Sequence, residues 1–153
     1  MCKRISLRDY CVIAVSGIAL AIGLNYILLV IDLAQYSEAY QDAVEVLYAP
    51  PFIQQILYTG ILVPILEELI FRGLVFKVLR KWIPFLWAML ISAILFGVYH
   101  GNLVQFVYAG LCGLFLAYLY EKYDSILAPI WSHMIMNIAV CTMTEFGVFS
   151  WLL

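Results

Sequence analysis

The sequence predicts an all-α polytopic transmembrane helix bundle: one integral membrane domain over residues 1–153, with about five spans and a short interfacial helix. Three observations predict it. Hydrophobic residues make up 66% and charged residues 12% of the chain, with a mean hydropathy of +1.01, against roughly 45–50% and 25% in soluble domains. The apolar residues come in runs of about 20, enough to cross a hydrocarbon core about 30 Å thick at about 1.5 Å per residue. Lys and Arg cluster at the N-terminus and after alternate runs, the asymmetry that marks cytoplasmic ends. The net charge of −2 comes with no basic cluster, so nucleic acid is excluded as a partner and the lipid bilayer takes its place.

Lys3, Arg4 and Arg8 precede an uncharged run from Cys11 to Ile31. That run is too long for a signal h-region and no small-x-small site closes it, so it reads as an uncleaved span over about residues 11–33 with a cytoplasmic N-terminus. Residues 34–51 carry Glu38, Asp42 and Glu45 but no Lys or Arg, as expected of the outer side. Tyr36, Ala39, Tyr40, Ala43, Val44 and Leu47 recur there at helical spacing, which predicts a helix lying on the membrane surface and ended by Pro50-Pro51. Span two covers about 52–79; Pro64 is expected to loosen the turn before it, and Lys77, Arg80 and Lys81 mark its cytoplasmic end. Pro84 opens span three, which continues to about His100, and Gly101-Asn102 breaks it before an antiparallel span four, about 103–120. Gly110 and Gly113 are expected to admit a neighbouring backbone. Glu121–Asp124 forms a second cytoplasmic turn, and span five, about 125–144, leaves the C-terminus outside the cell membrane. The tail from Phe146 either prolongs that helix or lies at the interface. Cys2, Cys11, Cys112 and Cys141 lack CxxC or zinc-ligand spacing and read as buried thiols.

Span two is anomalous because Glu67, Glu68 and Arg72 stand in its middle. One charge at a helix centre costs roughly 2.5–3.5 kcal/mol on an insertion scale, so three together cost up to about 8–10 before pairing relieves them. Glu68 and Arg72 share a helix face at i,i+4, while Glu67 points about 100° away. Arg72 neutralises only one carboxylate. The other must be protonated, hydrated, metal-bound or paired with a histidine. The chain has two histidines, and both lie in apolar surroundings: His100, four residues after Phe96, and His133, four before Asn137. Counted from the cytoplasmic ends, Glu67 rises roughly 20 Å, His100 roughly 24 Å, Asn137 roughly 18 Å and His133 roughly 12 Å, which brings three helices to one polar pocket near the midplane.

Each group also has a purely structural reading. Glu68 and Arg72 neutralise each other, His133 and Asn137 serve as interhelical hydrogen-bonding groups, and His100 caps span three. Taken together they make a set suited to hydrolysis: a buried carboxylate as general base toward water, a histidine sharing the proton, and an imidazole and an amide for a developing oxyanion. G-x-S-x-G, H-E-x-x-H and an activated Cys are absent from the sequence, so serine, zincin and cysteine mechanisms lack their signatures.

Glu67-Glu68-Leu69-Ile70-Phe71-Arg72 resembles EExxxR, Phe96-Gly97-Val98-Tyr99-His100 resembles FxxxH, and His133-Met134-Ile135-Met136-Asn137 resembles HxxxN. These are the three ordered motifs of the CPBP (CAAX protease and bacteriocin-processing, or Abi) intramembrane proteases. The likeness covers about residues 53–142. It implies an endopeptidase that hydrolyses a peptide bond of a membrane-associated protein or peptide, with Glu67 as the base, His100 holding the water, His133 and Asn137 at the oxyanion, and Glu68, Arg72 and Phe96 in support. It implies no cofactor in the version favoured here; a divalent metal such as zinc, held by Glu67, His100 and His133, is the alternative. Many relatives have more spans, so this chain is a compact member, a fragment, or a protein that completes its cavity as a homo-oligomer. The competing function is a non-catalytic bacteriocin-immunity or membrane scaffold protein.

Overall fold

The computed structural model describes residues 5–33 and 37–148. Lys3, Arg4, Cys2, Tyr36 and the tail from residue 149 onward lie outside the described residues. All regular elements among the described residues are helices.

The first helix, α1 (Leu7–Val30), starts on a capping box: Ser6 Oγ accepts the Asp9 amide at 3.2 Å and Asp9 Oδ2 accepts the Ser6 amide at 3.1 Å, which satisfies two end donors reciprocally. It is apolar all round, as a helix facing lipid should be. Its buried side reads Ile13, Gly17, Ala21, Asn25 and Leu28, a stripe of mostly small residues laid against the last helix. The next helix, α2 (Glu38–Tyr48), is amphipathic, with Ser37 Oγ accepting the Tyr40 amide at its start. Its apolar side turns into the protein, burying Tyr40 and Val44 against Leu28 and Val104.

Helix α3 occupies 52–79 but changes its winding: α over Phe52–Gln55, π over Ile56–Leu62, α over Val63–Glu68, π over Leu69–Phe76, and α over Lys77–Leu79. The first π stretch ends just ahead of Pro64, so the loosening expected there takes the form of wider turns. Helices α4 (Phe85–Tyr99) and α5 (Leu103–Tyr123) form a tight hairpin through Gly101, which adopts φ +75°, a left-handed conformation that favours glycine. Asn102 Oδ1 caps α5 by accepting the Gln105 amide at 2.9 Å. The two helices approach closely at Gly113, where a Cβ would lie 3.2 Å from Ala93 Cα. At Gly110 a Cβ would meet nothing closer than 3.8 Å, so of the two glycines singled out in the sequence only Gly113 carries the close approach. The last helix, α6 (Leu127–Glu145), packs on α1, α3 and α5.

Three of these helices, α1, α5 and α6, are long and apolar enough to cross a membrane, and α4 is a shorter apolar helix. Large apolar side chains face outward around the bundle, among them Val15, Leu57, Ile70, Leu95 and Val98. In water such a surface would aggregate; in lipid it is the ordinary exterior of an integral membrane protein. Cys112 and Cys141 are buried, but Cys11 is exposed, contrary to expectation, because it lies on the outer side of α1.

Candidate active site

The adjacent glutamates of α3 point into different surroundings. Glu68 has no exposed surface, and its Oε1 accepts from Arg72 Nη1 at 2.7 Å and from His133 Nδ1 at 2.8 Å. Arg72 is equally buried. Its Nη2 donates to the Gly113 carbonyl at 3.1 Å, and its guanidinium lies 4.5 Å from the centre of the Phe96 ring. The edge of Phe96 also meets both imidazoles, with ring centres 4.9 Å from His100 and 5.8 Å from His133. Burying a charge pair is tolerable when its remaining polar atoms find partners. Here a carboxylate, a carbonyl and a π face surround one guanidinium. Glu68 Oε2 and Arg72 Nε are the two atoms of this knot left without a hydrogen-bond partner.

Glu67 lies a third of a turn away, 7% exposed, and borders a cavity of about 240 Å³. Its Oε1 is 4.0 Å from His100 Nε2 and its Oε2 is 3.7 Å from His133 Nε2. Both distances are too long for direct hydrogen bonds and suit an interposed group. The tautomers follow from the opposite sides of the rings. His100 Nδ1 sits 2.8 Å from the Phe96 carbonyl oxygen, which can only accept, so Nδ1 carries the proton. His133 Nδ1 donates to Glu68 in the same way. In the neutral rings both Nε2 atoms therefore present lone pairs, and two imidazole nitrogens and a carboxylate, all acceptors, face one space. That arrangement is stable only if a donor or a cation stands among them.

Asn137, half-buried, also borders the cavity, but its Nδ2 donates to the Thr59 carbonyl at 2.9 Å. The winding of α3 explains why that carbonyl is available. The Val63 amide donates to Tyr58, five residues back. In the same register Thr59 would look to residue 64, a proline with no N–H. Asn137 takes the place of the missing donor.

All seven residues singled out in the sequence therefore meet: Glu67, His100, His133 and Asn137 around the cavity, and Glu68, Arg72 and Phe96 in the knot behind it. Sequence reasoning missed the two backbone partners, Thr59 and Gly113, and the contribution of α2, whose Tyr40, Val44, Leu47 and Tyr48 line the far wall of the same cavity. Pro64, five residues after Thr59, was the one signal for the freed carbonyl.

The donor set has the chemistry of a divalent-metal site, two imidazole nitrogens and a carboxylate, with each ring anchored through Nδ1 as metal-ligating histidines usually are. Among the described residues, however, no three His, Cys, Asp or Glu side chains are already drawn together around one point.

Comparison with known proteins bears on the family of the chain. A Bacillus subtilis (strain 168) protein named "Putative membrane peptidase YdiL" is 35% identical over 114 residues, which cover 74% of this chain and 46% of that protein. The chain thus spans about half the length of the curated relative it matches. No solved structure matches it. The sequence model of the family described as "Type II CAAX prenyl endopeptidase Rce1-like" matches residues 49–139, a stretch that holds all seven of the residues described above. This chain belongs to the Rce1-like CAAX protease family.

Proposed function

We propose that this protein is a membrane-embedded endopeptidase that hydrolyses a peptide bond of a membrane-associated protein or peptide, using water activated by Glu67. The observation that carries this reading is the convergence of three acceptors, the Glu67 carboxylate and the Nε2 atoms of His100 and His133, on one space at 3.7 and 4.0 Å. A water molecule there donates its hydrogens to Glu67 and to His100. Glu67 takes one proton as the oxygen attacks the substrate carbonyl, and the same proton passes to the departing amine as the C–N bond breaks. His133 Nε2 takes up a proton from solvent before the attack, so that it donates to the oxyanion as it forms, with Glu68 behind the ring to balance the charge. Asn137 contributes the Nδ2 hydrogen that Thr59 does not use. In this reading the chain crosses the cell membrane five times, with α3 and α4 completing the count, the N-terminus in the cytoplasm and the C-terminus outside.

The test is the full chain in lipid nanodiscs, incubated with membrane and secreted peptide fractions from the host. Glu67→Gln keeps the shape and removes the base, so turnover should fall by about 10²–10⁴-fold. Cleavage at the wild-type rate would sink the mechanism. If a divalent metal such as zinc belongs to the site, Glu67, His100 and His133 would hold it, and it would supply a more acidic water. The metal-free version expects turnover to survive exhaustive chelation. Activity lost on chelation and restored by zinc would replace that version.

The tie from Asn137 to Thr59 is the observation that favours the other reading, a scaffold or immunity protein whose polar cluster only packs helices. Protection of the host that persists in folded Glu67→Gln and His100→Ala variants would select it.

A further inference from the structure

The cavity beside Glu67 has two kinds of wall. One carries the acid, imidazole and amide groups of α3, α4 and α6. The other is apolar: to Val104 and Ala109 of α5 and Met136 and Val140 of α6 it adds five residues, Leu28 of α1 and Tyr40, Val44, Leu47 and Tyr48 of α2. Those five residues precede the stretch 49–139 that the family's sequence model matches. The reactive groups thus all lie inside that stretch, whereas part of the space in front of them is shaped from outside it.

We infer that the α2 wall is a specificity pocket that receives one bulky apolar side chain of an extended substrate, next to the bond presented to Glu67, and that Leu47 sets its depth. The inference rests on the protease reading for the identity of the bond, but the pocket itself follows from burial and volume. At about 240 Å³ the cavity falls below the roughly 300–1,000 Å³ of pockets for drug-sized ligands. A helix about 10–12 Å across does not fit, so the occupant is a side chain on extended backbone. The wall is also fixed. Gln55, 4% exposed, donates through Nε2 to the Pro50 carbonyl at 2.8 Å and the Tyr48 carbonyl at 3.2 Å, clamping the end of α2 to the start of α3. On the adjoining wall, Asn25 of α1 donates to the Tyr108 hydroxyl at 3.3 Å and holds that ring in place. Tyr40 and Val44 anchor α2 on Leu28 and Val104. Leu47 lines the same space but is only half-buried, so its size can change without unseating the helix.

The experiment measures binding to the full chain carrying Glu67→Gln in nanodiscs, so that cleavage plays no part. The probes are short fluorescent peptides of polar, extended sequence in which one position is varied through Gly, Ala, Leu, Phe and Trp. Affinity should climb from Gly to Phe by roughly tenfold or more, as a side chain leaves water for an apolar pocket. Adding Leu47→Trp should fill the pocket and reverse the order in favour of Gly and Ala, whereas Leu47→Ala should extend the preference to Trp. Equal affinity for all five peptides, or a rank order that neither variant changes, overturns the proposal. If Leu47→Trp unfolds the protein, the Leu47→Ala result alone decides. Failure of the protease reading would show instead as no cleavage of these peptides by the wild-type chain, which leaves the binding series readable.

Discussion

Glu67 and Glu68 are neighbours in the chain and opposites in environment. Around Glu68 the protein closes in: Arg72 and His133 share its Oε1, Phe96 covers the guanidinium and the Gly113 carbonyl closes it from α5, with Oε2 buried but without a hydrogen-bond partner. Around Glu67 there is a cavity, and its nearest polar neighbours stand at 3.7 and 4.0 Å. The first region resembles a salt bridge in a protein core, where removing one partner is costly because the other stays buried. The second is a carboxylate that borders a cavity and has no ion partner in hydrogen-bonding contact. A step of about 100° around one helix separates a group that holds the site together from a group free to react with what enters it.

The largest effect should come from breaking the first region. Glu68→Gln removes the counter-charge of a fully buried Arg72 and should destabilise the protein by about 3–5 kcal/mol, read as denaturant-induced unfolding in detergent. Adding Arg72→Met should recover much of that loss, because an apolar residue of similar volume leaves no stranded charge. Glu67→Gln should behave in the opposite way, with unfolding unchanged or slightly delayed and turnover cut by about 10²–10⁴-fold. If both substitutions destabilised equally, the distinction between the two glutamates would be wrong.

Much of this division was legible in the sequence. The i,i+4 spacing of Glu68 and Arg72 predicts their pairing, and the surplus carboxylate at Glu67 predicts a need for histidine or water. His100 and His133 are drawn to it because polar groups in apolar helices must find partners. The carbonyls were not legible beyond the hint that Pro64 gives for Thr59. A backbone oxygen becomes available only where winding or packing exposes it, and neither the π register that strands Thr59 nor the close crossing that turns Gly113 toward Arg72 is written in residue types. The role of α2 was hidden for a different reason. Its amphipathic pattern is the same whether the apolar side meets lipid or protein, and only tertiary packing on Leu28 and Val104 decides.

Gly113 offers a finer cut between the regions, with Gly110 as its control. A Cβ at Gly113 would lie 3.1 Å from Arg72 Nη2 and 3.2 Å from both Phe96 Cδ1 and Ala93 Cα. Overpacking of this kind costs about 1–3 kcal/mol, offset by up to about 1 kcal/mol of helix propensity gained on replacing glycine. Gly113→Ala should therefore lose up to about 2 kcal/mol of stability, and it should slow turnover because Phe96, once displaced, no longer steadies the two imidazoles. Gly110→Ala meets no such contact and should be neutral or mildly stabilising. Equal behaviour of the two alanines would show that the close crossing does not support the site.

The smallest effect is expected farthest from either glutamate. At the basic end of α3, Arg80 donates through Nη2 to Glu121 Oε1 at 2.7 Å and through Nε to Glu121 Oε2 at 3.1 Å, joining α3 to the end of α5. The geometry is bidentate, yet both side chains are about a third exposed, and water and salt weaken such pairs. The hydrogen bond to Glu121 holds the Arg80 guanidinium above the usual arginine range. A raised value in the folded state means that the stabilisation is present below the unfolded value and is lost only as pH rises through the folded one, beyond any pH at which the protein is handled. Ionic strength is therefore the useful variable. Arg80→Gln should leave turnover and the melting temperature where they are at high salt, with at most a small loss at low salt. A large loss that persisted in high salt would mean that the coupling between the ends of α3 and α5, and not the knot at Glu68, sets the geometry of the site.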